Sequence, residues 1–142
     1  MEQVDEQNHK PNVYIAGKWS RREELLAFAF DLHDVGCNIT SSWLWADKEE
    51  GEEYYKEYAV RDIEDISKSE VFILFTFAET ELTVRNSRLV ELGFALAWLK
   101  EVIIIGPREN IFCHLNIVRH CADTDEFWRE IDLVEENENK EG

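Results

Sequence analysis

The run Val71–Phe77, VFILFTF, limits the possible folds of this chain more than any other segment. It is apolar almost throughout and rich in β-branched and aromatic residues, so as a strand it has no polar face to turn toward water. Such a strand belongs at the centre of a sheet covered on both sides, as in parallel α/β folds. Val102–Ile105, VIII closed by Gly106-Pro107, repeats the pattern.

The segments around these runs alternate strand with helix. Asn12–Ala16, closed by Gly17, reads as a buried first strand. Ser20, with Glu23 three residues on, has the form of a capping box before a helix running to about Val35. Leu25, Leu26, Phe28, Ala29 and Leu32 give that helix its apolar face, and Gly36 stops it. Cys37–Ser41 fits a short second strand. After a Trp43-Leu44-Trp45 loop, Glu52–Ser69 carries Tyr54, Tyr55, Tyr58, Ala59, Ile63 and Ile66 at helical spacing. Ser87–Leu99 reads as a third helix, and Asp123-Thr124 opens a last one near Glu126–Leu133. The expected class is therefore α/β: a three-layer, doubly wound, mainly parallel sheet of about five strands, Rossmann- or flavodoxin-like. Ligands of such folds bind at the carboxyl ends of the strands, where the loops after Ala16, Phe77 and Ile105 converge.

A length of 142 residues fits one domain, here 12–134, between a polar tail (1–11) and an acidic tail (135–142). With 31 acidic against 15 basic residues the formal charge is −16, which disfavours nucleic acid polymers and anionic membranes but allows a single small phosphate. Three cysteines without a CxxC pair, no apolar leader and no membrane-length run point to a cytoplasmic protein. Cys113-His114 and His120-Cys121 lack the spacing of a zinc site, so neither metal nor cofactor is expected.

Two places can carry chemistry. The loop Gly17-Lys18-Trp19-Ser20-Arg21-Arg22 leads into a helix N-terminus, which favours an anion, but it matches neither GxGxxG nor a P-loop. An ordinary turn with solvated arginines and a phosphate or sugar contact both remain open. Trp19, Trp43 and Trp45 are either base-stacking surfaces or core. The second place is Glu91, an acid on the early turns of an apolar helix, where a half-buried carboxylate needs a partner or a task.

The segments VYIAGKWSRREE, YAVRDIEDISKSEVFILF and SRLVELGFALAWLKEVIIIGPRENIF, in this order and spacing, resemble the nucleoside 2-deoxyribosyltransferase-like family, which includes deoxynucleoside 5′-monophosphate N-glycosidases. The resemblance covers most of residues 12–112 and is most specific at Val90-Glu91-Leu92-Gly93-Phe94-Ala95. It implies that Glu91 is the nucleophile attacking the anomeric carbon. Asp62, eight residues before Glu70, is then a second catalytic acid, and Tyr14 of the first strand holds the nucleophile. The expected substrate-binding set joins Gly17, Lys18, Trp19, Ser20 and Arg21 of the first loop to Arg85, Ser87 and Arg88, the last three by the resemblance. Arg85 stands where family members place a phosphate-binding serine, and Asn86-Ser87-Arg88 replaces their glycine-rich turn.

The chemistry is coherent. A 2-deoxyribosyl centre ionises readily, and a carboxylate can trap it as an ester while a second acid protonates the departing base. The expected function is cleavage or transfer of the N-glycosidic bond of 2′-deoxynucleosides or their 5′-monophosphates, since hydrolase and transferase share the intermediate. A noncatalytic nucleotide-binding module on the same fold, or an acidic mimic of nucleic acid, are the rivals. The resemblance also implies a homo-oligomer, with Arg108–Cys121 as a loop-rich segment reaching a neighbouring pocket.

Overall fold

The computed structural model describes residues 9–46, 51–77 and 86–134. Most of the two expected tails, 1–8 and 135–142, lies outside them. Five strands, β1 (Asn12–Ala16), β2 (Asn38–Ile39), β3 (Val71–Phe75), β4 (Glu101–Ile105) and β5 (Val118–Cys121), form one parallel sheet in the order β2-β1-β3-β4-β5. Every residue of β3 and the last four of β4 are buried, as their unbroken apolar runs require.

Helices cover both faces. Phe28 of α1 (Arg22–Asp34) meets Phe75 of β3 edge-on at 4.9 Å and Phe127 of α4 (Thr124–Glu130) at 5.2 Å, so α1 and α4 share one face. The opposite face carries α2 (Tyr55–Ser67) and α3 (Ser87–Ala97), which pack against each other. Tyr14 and Phe72 are partners in the β1–β3 register and point to this second face, their rings stacked at 5.6 Å. The chain order reverses between β1 and β3, the switch point at which doubly wound sheets open a crevice.

Several local expectations change. Ser20 does not cap α1: Trp19–Arg21 form a 3-10 turn, and α1 begins at Arg22 with no side-chain cap. Backbone bonds such as Arg21 N–H to Lys18 O at 3.0 Å satisfy the donors that a cap would otherwise take. The second strand shrinks to Asn38–Ile39, which leaves Ile15 without a strand partner on that side. Side chains replace it, since Ser41 Oγ accepts from Ile15 N–H at 3.1 Å and Trp43 Nε1–H donates to Ile15 O at 2.8 Å. Trp43 is thus buried core and a backbone partner.

Arg108–Cys121 is less loop-rich than expected, because it holds a 3-10 turn, Ile111–His114, and the edge strand β5. The last helix stops at Glu130, and Asp123 caps its start by accepting from Glu126 N–H at 2.9 Å. Gly36 and Gly106 both adopt positive φ, 111° and 120°, and at Gly106 a Cβ would also strike the Thr76 backbone. Among the described residues no helix is long and apolar enough to cross a membrane.

Candidate active site

The inward stripe of α3 consists of Arg88, Glu91, Leu92 and Ala95, residues three and four apart on one helical face. On α2, Asp62, Asp65 and Ile66 form the facing stripe. Packing these two stripes together brings the carboxyls of Glu91 and Asp62 into a shared hydrogen bond. Two carboxyls bonded to each other away from water oppose each other's ionisation, which favours the protonated form of the pair.

Their surroundings act on the two unequally. Glu91 is half-buried as a residue, but its carboxyl end is enclosed by protein. Burial, then the Asp62 charge and the bond to it, push Glu91 well above the usual glutamate range, against the opposing pull of Tyr14 and Arg61. Burial also raises Asp62, but the bond from Glu91 and the Arg61 guanidinium work against the rise. Both members of the pair are thus biased toward their protonated forms, and Asp62 is the one that Arg61 grips, through Nε at 3.1 Å and a terminal nitrogen at 3.0 Å.

Tyr14 looks onto this pair from β1. It is completely buried, and its hydroxyl has no partner at hydrogen-bonding geometry among the described residues. Burial, followed by the charges of Glu91 and Asp62, holds the phenol well above its ordinary range, so it remains a neutral O–H dipole. That dipole lowers Glu91, the effect of a hydroxyl facing a carboxylate. Tyr14, Asp62 and Glu91, expected to act together, are thus brought together.

The loop after β1 forms a second cluster. Arg21 lies over the Phe77 ring at 4.1 Å and pairs with Glu24 at 2.8 Å, while Lys18 Nζ stands 5.9 Å from the same ring. Trp19 packs near Trp43 at 6.3 Å and under Arg22 at 5.0 Å. Gly17 stays small because a Cβ there would strike Leu25. Ser20 is exposed, as is Ser87 at the start of α3. Lys18, Trp19, Ser20 and Arg21 thus border the carboxyl ends of β1 and β3, where a ligand of this fold enters.

Arg88 behaves differently from a surface phosphate ligand. Its side chain is 4% exposed and pairs with Glu109, itself 13% exposed, at 2.8 Å, so a phosphate there would have to compete with an internal carboxylate. Arg85 lies outside the described residues. Cys113 and His120, members of the two Cys-His pairs, bond to Asn110 Oδ1 at 3.8 Å and Gly106 O at 2.7 Å. Among the described residues no group of three or more His, Cys, Asp or Glu is arranged to hold a metal.

Sequence reasoning missed Arg61, Glu109 and Asp65. Asp65 accepts from Ser42 N–H at 3.1 Å and Ser42 Oγ at 2.6 Å, tying the turn after β2 to α2 one turn beyond Asp62. Its place on the same helical stripe as Asp62 and Ile66 was the available signal; Arg61 and Glu109 had none.

An all-parallel 2-1-3-4-5 sheet, with a buried carboxyl pair on one face, defines a doubly wound α/β protein. Among solved structures it is similar in fold to the Clostridium botulinum CMP N-glycosidase BcmB, with a TM-score of 0.58 and 17% identity over 86% of this chain and 98% of that one. No protein-family model and no curated protein sequence matches the chain.

Proposed function

We propose that the protein cleaves the N-glycosidic bond of a nucleoside or its 5′-monophosphate, with Glu91 as nucleophile and Asp62 as proton donor to the base. The observation that carries this reading is the buried, hydrogen-bonded Glu91–Asp62 carboxyl pair faced by Tyr14. Glu91 Oε attacks C1′ as the C1′–N bond breaks, and the bond's electron pair leaves on the base. The proton needed by the base comes from the pair: it passes from Glu91 to Asp62 and on to the base nitrogen. Losing it ionises Glu91 as the nucleophile is needed, so one proton serves both roles. Water or a second base then releases the sugar from Glu91, giving hydrolysis or transfer.

Two features support a nucleotide-sized ligand. The similar fold is that of an enzyme acting on CMP. Lys18 and Arg21, beside Phe77, offer cations and an aromatic face at the crevice mouth. We favour 2′-deoxy sugars, because a 2′-hydroxyl destabilises the cationic transition state; matched ribo and deoxyribo substrates test this directly.

We also propose a homodimer. An apolar groove of about 600 Å³ runs along α3, the helix that carries Glu91, and is lined by Leu89, Leu92, Leu96, Phe112, Leu115 and Ile117. No charged side chain lines it, which suits a self-complementary contact in a chain of charge −16. Light scattering decides this: a dimer that a Phe112→Glu change dissociates supports it, and a monomeric wild type contradicts it. The activity itself is tested by incubating the protein with nucleosides and monophosphates and assaying free base by chromatography.

A further inference from the structure

We propose that Arg61 is a positioning residue that holds Asp62 in place and makes it the charged member of its pair with Glu91. Both guanidinium contacts fall on the same oxygen, Asp62 Oδ1, through Nε at 3.1 Å and a terminal nitrogen at 3.0 Å. The guanidinium is itself held in place, lying 5.1 Å from the centroid of Tyr58, one turn earlier on α2.

Every element packed against the pair contributes to the balance. Tyr14 faces it from β1 as a neutral dipole, and Glu91 faces it from α3. On α2 the neighbours are Asp65, whose charge raises Asp62, and Arg61, the cation that acts on both carboxyls. A carboxylate bonded to arginine holds its charge better than one that is not, so the proton is left on the other member. A base nitrogen approaching Asp62 offers the proton a better site, and Glu91 then ionises to attack. Arg61 thus sets which carboxyl holds the charge before the leaving group arrives, a deepening of the proposed N-glycosidic reading that rests on it.

The measurement is a pH titration by NMR of the full-length protein with ¹³C-labelled Asp and Glu carboxyls, assigned with Asp62→Asn and Glu91→Gln. The wild type should show Glu91 protonated through a higher pH than Asp62. In Arg61→Met both carboxyls should titrate higher and Asp62 should take a larger share of the proton, with Arg61→Lys between the two. Arg61 is 34% exposed at its side chain, so the fold should tolerate these changes; if Arg61→Met fails to fold, Arg61→Lys alone still shows the shift. A titration of Asp62 unchanged by loss of the guanidinium overturns the proposal, whatever happens to thermal stability. In turnover, Arg61→Met should lower kcat roughly 10- to 100-fold with little change in KM. Because the titration needs no substrate, a shifted Asp62 in a protein that releases no base would sink the glycosidase reading and leave the role of Arg61 standing.

Discussion

Glu91 on α3 and Asp62 on α2 share a hydrogen bond between carboxyls, and the more deeply enclosed of the two, Glu91, is the one whose ionisation burial most opposes. A folded protein gains little stability from such an arrangement. Its presence on two packed helical stripes otherwise occupied by Ile66, Leu92 and Ala95 is a cost that a function has to justify.

That cost can be measured as a pH dependence. Both carboxyls are raised in the folded state, so their contribution to stability is complete below the ordinary values of 3.8 and 4.5 and is lost as pH rises through the raised ones. Glu70 works the other way: despite partial burial it is lowered by Asn12 N–H and His9, and its contribution is lost as pH falls. Comparing wild type with Glu91→Gln cancels Glu70. The variant should be more stable at pH 7, by on the order of 1 kcal/mol, and the gap should close near pH 4. Urea melts at both pH values check this; equal stability at pH 7 would mean that Glu91 is not strained there.

Removing the Tyr14 hydroxyl separates its role from packing. Tyr14→Phe keeps the ring stacked on Phe72 and deletes a buried hydroxyl that lacks a bonding partner, so stability should hold or rise by about 1 kcal/mol. Glu91 loses a dipole that favours its ionised form, and turnover should fall. A variant that is both destabilised and fully active would contradict this account of Tyr14.

The Arg88–Glu109 pair is structural. With side chains 4% and 13% exposed, Glu109→Ala removes a close carboxylate from a buried guanidinium and should lower stability in denaturant unfolding. Replacing both at once, with Arg88→Met and Glu109→Leu, should recover most of the loss. If Glu109→Ala instead leaves stability unchanged, Arg88 is available to a ligand phosphate.

Much of this was legible in the sequence because it follows from periodicity. The unbroken run of β3 demanded helices on both faces, and Glu91 stood out as an acid at an inward position of α3. β5 was not legible, because as an edge strand it exposes Arg119 and half-exposes His120, which breaks the apolar run that marked β3 and β4. Contacts set by tertiary approach were equally hidden. Glu109 meets Arg88 across twenty-one residues, and Ser41 and Trp43 take the backbone groups of Ile15 only because β2 ends early. Nor does the sequence say that Arg61, adjacent to Asp62 along the helix, folds back onto its carboxylate.

The phosphate end of the ligand is tested at the loop after β1. Arg21→Glu should raise KM for a 5′-monophosphate far more than for the matching nucleoside, by roughly tenfold or more, because a charge-assisted bond contributes about 1.5–3 kcal/mol. Equal effects on both substrates would place Arg21 outside the phosphate site.

The central claim is that Glu91 attacks a glycosidic carbon while Asp62 protonates the base. Its most direct measurement is chromatographic release of free base from deoxynucleosides, ribonucleosides and their 5′-monophosphates, with wild type and Glu91→Gln run side by side. The account predicts release by the wild type from at least one of these substrates and a loss of roughly 10⁴-fold or more in the variant. No release from any substrate, or release that survives Glu91→Gln, would contradict it.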